Sequence, residues 1–263
     1  MVLTRLLVTY ALVLQGAVDG GSVKPSKALD AGVKVDAGVD AGVATLDAGV
    51  KKADLAPDVK ALVDRVQAFY EKTQDFSADF KQDYTYKAFK RTQSSSGKVI
   101  FKKPALMRWE YEKPSPRTFV LAGDRVIAHD PEAKLLTVAS IATNQLSASV
   151  TFLFGVGKLE NEFAIVKKAC AKCVGVELEM TPLVADPRFK RIFLEVDERT
   201  AQVLKSTVID PDGSQNAISF LSLTANVGIT EAAFKLMPPP GTQVQDFRTG
   251  AQMKIPGAVD AGK

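Results

Sequence analysis

The chain has 263 residues, of which 46% are hydrophobic and 24% are charged, and its formal net charge is +4. This amount of apolar material suffices for one domain with a sizeable core. The Lys and Arg residues are scattered along strand-like segments and form no dense basic block, which argues against a nucleic-acid-binding protein.

Residues 1–17 have the pattern of a secretory signal peptide. Arg5 precedes an apolar run from Leu6 to Leu14, and small residues follow the run. A membrane anchor or a buried N-terminal helix is the alternative, but the run is shorter than the ~20 residues that cross a bilayer. The pattern therefore predicts export and cleavage. Because no Cys directly follows the run, we expect the cleaved protein to be soluble and to carry no lipid of its own.

A low-complexity segment, residues 18–54, comes next. Asp-Ala-Gly recurs at positions 30, 36, 40 and 47 with hardly any aromatic residue, so the segment cannot bury enough apolar surface to become ordered. The Asp spacing does not fit the calcium loop of an EF-hand. We expect a disordered linker at 18–54, a folded domain at 55–250 and a flexible tail at 251–263.

The folded domain is predicted to open with an amphipathic helix. Asp54 and Pro57 suit a helix start. From Val59 to Tyr70 the apolar residues follow three-four spacing, and the pattern ends near Lys72.

After this helix, apolar and polar residues alternate with a period of two, and Gly, Pro and Asp mark the turns, as in consecutive antiparallel strands. The predicted strands are 76–86, 97–101, 107–111, 119–121, 126–128, 162–167, 174–181, 189–197, 201–210 and 215–225, with a turn, a short strand and a stop within 230–241. Between Ser140 and Gly157 the alternation ceases, and an apolar helix is predicted from the spacing of Leu146, Val150, Leu153 and Phe154.

These elements predict a mainly β fold with about ten or eleven strands and two or three helices, arranged as a single curved antiparallel sheet or barrel. Long parallel βαβ units are absent from the pattern, which disfavours nucleotide-binding α/β folds. The inward face of the sheet is rich in large apolar residues. It is either an ordinary core or a hydrophobic cavity beneath a helical lid, and periodicity alone does not separate the two.

Cys170 and Cys173 are the only cysteines. A Cys-x-x-Cys pair is compatible with a redox centre, half of a zinc site or a local disulfide. The pair lies between two predicted strands, and the chain has one His and no second Cys pair. The flanks therefore favour a disulfide at a hairpin end, with an inert reduced pair as the alternative.

Catalytic patterns are weak. His129 is the only histidine, no Gly-x-Ser-x-Gly elbow occurs, and Asp130-Pro131 makes the surroundings of His129 a turn. Carboxylate pairs such as Glu177 and Glu179 lie in alternating strands, where they are typical of a solvated face. The sequence argues against an enzyme, and we expect neither a cofactor nor a metal.

Four stretches, in this order, resemble one protein family. Residues 76–82 follow the opening helix, 97–111 contain Lys103-Pro104 and Trp109, 123–131 form a Gly to Asp-Pro hairpin, and 234–241 run from Phe to Pro-Pro-Pro-Gly. Together they are similar to the LolA-type periplasmic outer-membrane lipoprotein carriers. The likeness extends from about Val59 to Val244.

The resemblance implies an unclosed antiparallel β-barrel whose helical lid covers a hydrophobic cavity for the acyl chains of a lipoprotein. It implies a monomeric chaperone that receives lipoproteins from an ABC-type release complex of the inner membrane and passes them to an outer-membrane receptor where one exists. The residues expected at the cavity or lid are Phe101, Lys103, Met107, Trp109, Leu146, Val150, Leu153 and Phe154. Met107 also suits ordinary core packing, and Trp109 suits a structural role.

Two positions depart from the family pattern. Lys103 stands where the carriers have an Arg that holds the lid through hydrogen bonds, and a Lys offers a point charge in place of a planar fork. His129 stands where a Tyr is usual. The competing hypotheses are a half-barrel regulatory sensor of lipid or lipoprotein in the cell envelope and an envelope-adhesive protein that uses residues 18–54.

Overall fold

The computed structural model of the protein describes residues 54–140 and 157–248. The predicted signal peptide, nearly all of the predicted linker and the predicted tail lie outside these ranges, as do Leu146, Val150, Leu153 and Phe154 of the predicted apolar helix. Within the described ranges, no helix is both long enough and apolar enough to cross a membrane.

Helix α1 spans Pro57–Lys72, which confirms the predicted opening helix and its end. Pro lies at its first turn, and Asp58 there complements the positive end of the helix dipole. The helix ends at Thr73, whose backbone N–H and hydroxyl donate to the Phe69 carbonyl at 3.1 and 2.8 Å.

Within the described residues, twelve strands and two short helical segments follow. The strands are β1 (Asp75–Tyr86), β2 (Arg91–Lys102), β3 (Leu106–Lys113), β4 (Arg117–Ala122), β5 (Arg125–Asp130), β6 (Leu135–Ser140), β7 (Phe163–Lys168), β8 (Val176–Pro182), β9 (Arg191–Val196), β10 (Val203–Ile209), β11 (Gln215–Ala225) and β12 (Gln243–Asp246). Helix α2 spans Leu159–Glu162, and a 3-10 helix spans Glu231–Phe234.

All twelve strands belong to one sheet, in the order β12-β6-β5-β4-β3-β2-β1-β11-β10-β9-β8-β7. Neighbours are antiparallel, except that β12 runs parallel to β6. Because β12 and β7 are edges that do not pair with each other, the barrel is unclosed, and the predicted fold class is confirmed.

Three details of the predicted strands differ from the structure. Strand β6 was not predicted because Leu135-Leu136 interrupts a strict alternation, and β12 was not predicted because its four residues are mostly polar. The strand predicted within 230–241 is wrong, since residues Glu231–Phe234 form a single 3-10 turn. The described part of the chain therefore has twelve strands, one above the expected range.

Helix α1 packs against one face of this sheet, which we call the helix-side face. The core under the helix is formed mainly by the strands that follow α2. Its buried members are Val59, Leu62, Val63, Val66, Tyr70, Leu159, Phe163, Ile165, Leu178, Met180, Phe189, Ile192, Leu194, Val196, Ala201 and Val203. Successive residues of a strand alternate between faces, so the pairing register shows which residues of the neighbouring strands share this face.

The opposite face is covered near β3 and β4 by the 3-10 helix. Phe234 of this segment is buried, and so is Val120 of β4. Arg108 of β3 fixes the segment, because its Nη1 donates to the carbonyls of Ala233 and Lys235 at 2.9 and 3.3 Å.

Asp75 ties the start of β1 to the segment that leads to the 3-10 helix. Its carboxylate accepts hydrogen bonds from the backbone N–H groups of Val227 at 2.7 Å, Gly228 at 3.1 and 3.2 Å, and Ile229 at 3.2 Å. A buried carboxylate that accepts several backbone N–H groups is stably placed. This contact therefore holds the end of β11 against the start of β1.

Candidate functional site

Outside the α1 core, the helix-side face carries a continuous set of large apolar side chains, which we call the apolar floor. Its members are Phe76, Phe80, Phe101, Met107, Trp109, Tyr111, Phe119, Leu121, Val126 and Phe220, which the register places on one face of β1–β5 and β11. Within the described part of the chain, only Phe220 of this set packs against the α1 core.

The rings of the apolar floor contact one another. Phe80 lies at the centre, edge-to-face with Trp109 at 4.8 Å and with Tyr111 at 5.0 Å between ring centroids. Trp109 also lies 6.4 Å from Phe220, and Tyr111 lies 5.6 Å from Phe119. Phe80 is fully buried, whereas the other four rings are only partly buried. The floor therefore presents aromatic surface on the helix side of the sheet.

Polarity changes along the strands of this face. We call the end of the sheet near Lys103 the Lys103 end, and the end at the β1–β2 turn, residues 87–90, the hairpin end. From the Lys103 end to the hairpin end, the helix-side residues run Phe76, Ala78, Phe80, Gln82, Tyr84 on β1; Phe101, Val99, Gly97, Ser95, Gln93 on β2; Leu121, Phe119, Arg117 on β4; and Phe220, Ile218, Asn216 on β11. Each of these strands changes from apolar to polar in the same direction.

The boundary between the two zones is a hydrogen-bonded group of side chains. The buried Gln82 donates from Nε2 to Oδ1 of Asn216 at 2.8 Å, and its Oε1 accepts from the Tyr111 hydroxyl at 2.9 Å. Burial raises the pKa of Tyr111, so the phenol stays neutral and remains a donor. These groups satisfy one another, which allows polar atoms to lie beside the floor without a large penalty.

A second polar pair lies at the hairpin end. The Tyr84 hydroxyl donates to Oδ2 of Asp210 at 2.7 Å. Burial is the main cause that raises the pKa of Tyr84, and the bond to Asp210 raises it further. Burial also raises the pKa of Asp210. The pair closes the β10–β11 turn against β1.

Lys103 links the sheet to helix α1. It follows β2, and its backbone N–H donates to the Gln74 carbonyl at 2.8 Å. Its Nζ donates to the carbonyls of Tyr70 and Glu71, at 3.0 and 2.7 Å. These carbonyls belong to the last turn of α1, where a cation is favoured by the helix dipole and where carbonyls lack helical partners. Lys103 thus caps the C-terminus of the helix.

The other residues predicted at the site have different surroundings. Phe101 and Met107 are buried on the apolar floor, and Trp109 is partly buried there. Their contact with a ligand remains a prediction, and Leu146, Val150, Leu153 and Phe154 lie outside the described residues. His129 pairs with Thr118 and Leu136, which places it on the opposite face, away from α1.

Cys170 and Cys173 form a disulfide, with sulfur atoms 1.99 Å apart, in the turn between β7 and β8. Both sulfurs are bonded to each other, so neither is a thiolate that could hold zinc.

A small pocket opens between α1 and α2. Its volume is about 200 Å³, and its lining includes Lys60, Asp64, Gln67 and Glu160. This is below the ~300 Å³ at which small-molecule sites usually begin. Its size and its charged walls do not suit acyl chains.

Sequence reasoning did not single out Phe80, Tyr111, Phe119 and Phe220 as members of the site. Their alternation with polar neighbours was visible, but their meeting depends on strand register. In particular, Phe80 lies beside Phe220 only because β1 pairs with β11.

Comparison with known proteins identifies a matching family and related sequences. A model of the family described as outer membrane lipoprotein carrier protein LolA matches residues 71–237. The outer-membrane lipoprotein carrier protein of Dechloromonas aromatica is 28% identical over 69% of this chain and 86% of its own length. That of Pseudomonas paraeruginosa is 27% identical over 71% of this chain and 88% of its own length. A crystal structure of an uncharacterized conserved protein from Thermus thermophilus has a TM-score of 0.47 and 13% identity, covering 72% of this chain and 99% of that one.

Proposed function

The chain belongs to the LolA family of outer membrane lipoprotein carriers, and from this premise we propose that it is a periplasmic chaperone that binds the acyl chains of lipoproteins and carries them to the outer membrane. The observation that carries the proposal is the apolar floor. It offers partly buried aromatic surface on the helix side of an unclosed sheet, outside the core that α1 fills.

The need for such a surface follows from the energetics of acyl chains. Each methylene that leaves water contributes ~0.8 kcal/mol, so one long chain contributes on the order of 10 kcal/mol. An acylated lipoprotein therefore does not cross an aqueous space unaided. Aromatic rings and the flexible thioether of Met107 suit chains of varied length, because they adapt to different contacts.

The change of polarity along the floor supports one orientation of the cargo. Acyl tails would lie on the partly buried rings of Trp109, Phe119 and Phe220, toward the Lys103 end. The ester and amide groups would lie toward Gln82, Asn216 and Tyr111, which offer donors and acceptors. The protein part of the cargo would then leave the carrier on the hairpin side.

The remaining parts of the proposal follow from family membership. We propose that residues 1–17 direct export, that residues 18–54 are a tether, and that the cargo comes from an ABC-type release complex of the inner membrane and goes to an outer-membrane receptor. The cargo is bound and released without covalent chemistry. Because a carrier must also release, the attachment of α1 through Lys103 is the contact that we expect to open when cargo enters or leaves.

Binding of a purified triacylated lipoprotein, compared with its unacylated form, tests the function. Phe119→Asp places a charge on the apolar floor, and Thr118→Asp places the same charge on the opposite face of the same strand. We expect the wild type to bind only the acylated form. We expect Phe119→Asp to weaken that binding at least ~10-fold, or ~1.4 kcal/mol, while Thr118→Asp leaves it unchanged.

Urea unfolding of both variants shows whether each is folded under the binding conditions. Equal binding of acylated and unacylated lipoprotein by the wild type, or equal loss in both variants, would contradict the proposal. Binding without any transfer to outer-membrane vesicles would instead favour the sensor hypothesis.

A further inference from the structure

The β1–β2 hairpin projects beyond its neighbour on one side. Strand β2 begins at Arg91, but its pairing with β3 begins only at Ser96, opposite Lys113. Residues 91–95 pair with β1 and have no β3 partner. At ~3.3 Å per residue, this part of the hairpin extends about 16 Å past β3. We call residues 83–95 the finger.

The tip of the finger is aromatic and basic. Phe89 is 79% exposed, and its ring lies 6.2 Å from Tyr86, which in turn contacts Tyr84 at 4.6 Å. Phe89 thus ends a row of three aromatic rings, and exposed apolar surface that is rimmed by polar residues marks interaction sites, membranes included.

Three cations accompany Phe89, namely Lys87, Lys90 and Arg91, and all are exposed. None of them forms an ion pair within the described part of the chain. The sequence has no acidic residue between Asp83 and Glu110. The β10–β11 turn, residues 210–212, also carries carboxylates. Asp212 of this turn already accepts a hydrogen bond within the chain, from the Ser214 hydroxyl at 2.9 Å.

From this geometry we propose that the finger docks the protein reversibly on the surface of an anionic bilayer. Phe89 inserts among the headgroups, and Lys90 and Arg91 lie over lipid phosphates, whereas the ammonium of Lys87 packs beside Gly213 of the β10–β11 turn. The surface of an anionic bilayer offers negative charge at the headgroups and hydrocarbon just beneath them. A hairpin tip with one exposed ring and cations outside ion pairs complements both. One exposed ring and its flanking cations are a small area for a stable protein partner.

The position of the finger gives the docking a consequence. It lies at the hairpin end, where the helix-side face becomes polar. Contact of the tip with a bilayer therefore brings this end of the apolar floor to the lipid surface. Docking does not require a lipoprotein, so it is tested separately from the proposed carrier function.

The test is cosedimentation of the full exported chain with vesicles that contain no lipoprotein. One set contains equal parts of phosphatidylglycerol and phosphatidylcholine, and the other contains phosphatidylcholine alone. We expect binding to the anionic vesicles only, and weaker binding at high salt. Each cation near an anionic surface changes the partition roughly fivefold, so the double substitution Lys90→Gln with Arg91→Gln should weaken binding more than tenfold and reduce its salt dependence.

Phe89→Ser tests the apolar part of the tip, and we expect it to weaken binding several-fold. Val174→Ser is the matched control, because Val174 is also a highly exposed apolar residue but lies in the disulfide turn at the other end of the sheet. In a Phe89→Trp variant, quenching by brominated acyl chains should exceed that of the wild type, which reports the depth of the tip directly.

The proposal is overturned if the wild type does not bind anionic vesicles, or if the finger variants bind as the wild type does. It is also overturned if the finger variants impair lipoprotein transfer while vesicle binding is absent, since the finger would then contact a protein. Any of these results leaves acyl-chain binding by the apolar floor unaffected.

Discussion

Replacing Lys103 by Met removes the cap of helix α1 and retains most of the aliphatic stem. Two hydrogen bonds are lost, from Nζ to the Tyr70 and Glu71 carbonyls. A hydrogen bond from a charged group contributes ~1.5–3 kcal/mol when it is buried. Lys103 is partly exposed, and both bonds share one ammonium, so we take the lower end.

The favourable interaction of the ammonium with the helix dipole adds ~0.3–1 kcal/mol. The free energy of unfolding should therefore fall by about 2 kcal/mol, which corresponds to a Tm lower by ~4–8 °C for a domain of this size. Lys103→Arg retains a cation and donors, so it should lose less than half of this amount. Lys102→Met, one residue earlier in β2, is the matched control and should change stability by less than ~0.5 kcal/mol.

Urea unfolding followed by the fluorescence of Trp109, the only Trp of the chain, measures these differences. Amide hydrogen exchange gives the location, because the loss of a helix cap should speed exchange in the last turn of α1 before it affects the sheet. The reasoning is refuted if Lys103→Met and Lys102→Met have the same stability, or if exchange in the last turn of α1 is unchanged.

Asp75→Ala should lower the free energy of unfolding by about 2–4 kcal/mol, because three backbone N–H groups lose a charged acceptor; a loss below ~1 kcal/mol in the same urea assay would show that water replaces the carboxylate. Gly97→Ala should cost more than ~3 kcal/mol, since an added Cβ would lie 1.8 Å from the backbone carbonyl oxygen of Glu110; wild-type thermal stability would contradict this. Hydrogen bonds from Arg248 lower the pKa of Asp246 to about 2, so its stabilising contribution is complete above the unfolded pKa of ~3.9 and is lost as the pH falls toward 2. As the pH is lowered between those values, the free energy of unfolding of Asp246→Asn should fall less than that of the wild type. If the two proteins lose stability in parallel over this range, the Asp246–Arg248 contact does not cause the pH dependence.

Much of the fold follows from local pattern. The three-four spacing predicted α1, and the alternation predicted ten of the strands, because both signals depend on neighbours in the chain. The pairing of β12 with β6 had no such signal. The register that brings Gln243 beside Leu135 is a tertiary property of a short polar segment.

The candidate site was likewise predicted only in part from the sequence. Period-two alternation places Met107 and Trp109 on one face of β3, where the structure has them, and the pairing of β2 with β3 places Phe101 on the same face. The partners of Lys103 are backbone carbonyls of α1, and no side-chain pattern marks a carbonyl. The meeting of Phe80 with Phe220 requires the long-range pairing of β1 and β11.

The position of β1 in the middle of the sheet has a consequence for folding kinetics. Strands β1–β6 and β7–β11 are two meanders of local hairpins, and they join only where β1 meets β11. Local hairpins form quickly, whereas a pairing that closes a loop of more than a hundred residues is slow. The joining of the two meanders should therefore limit the folding rate. Until the chain has been synthesised through residue 225, β1 has an unpaired edge, which a chaperone of nascent chains would need to shield.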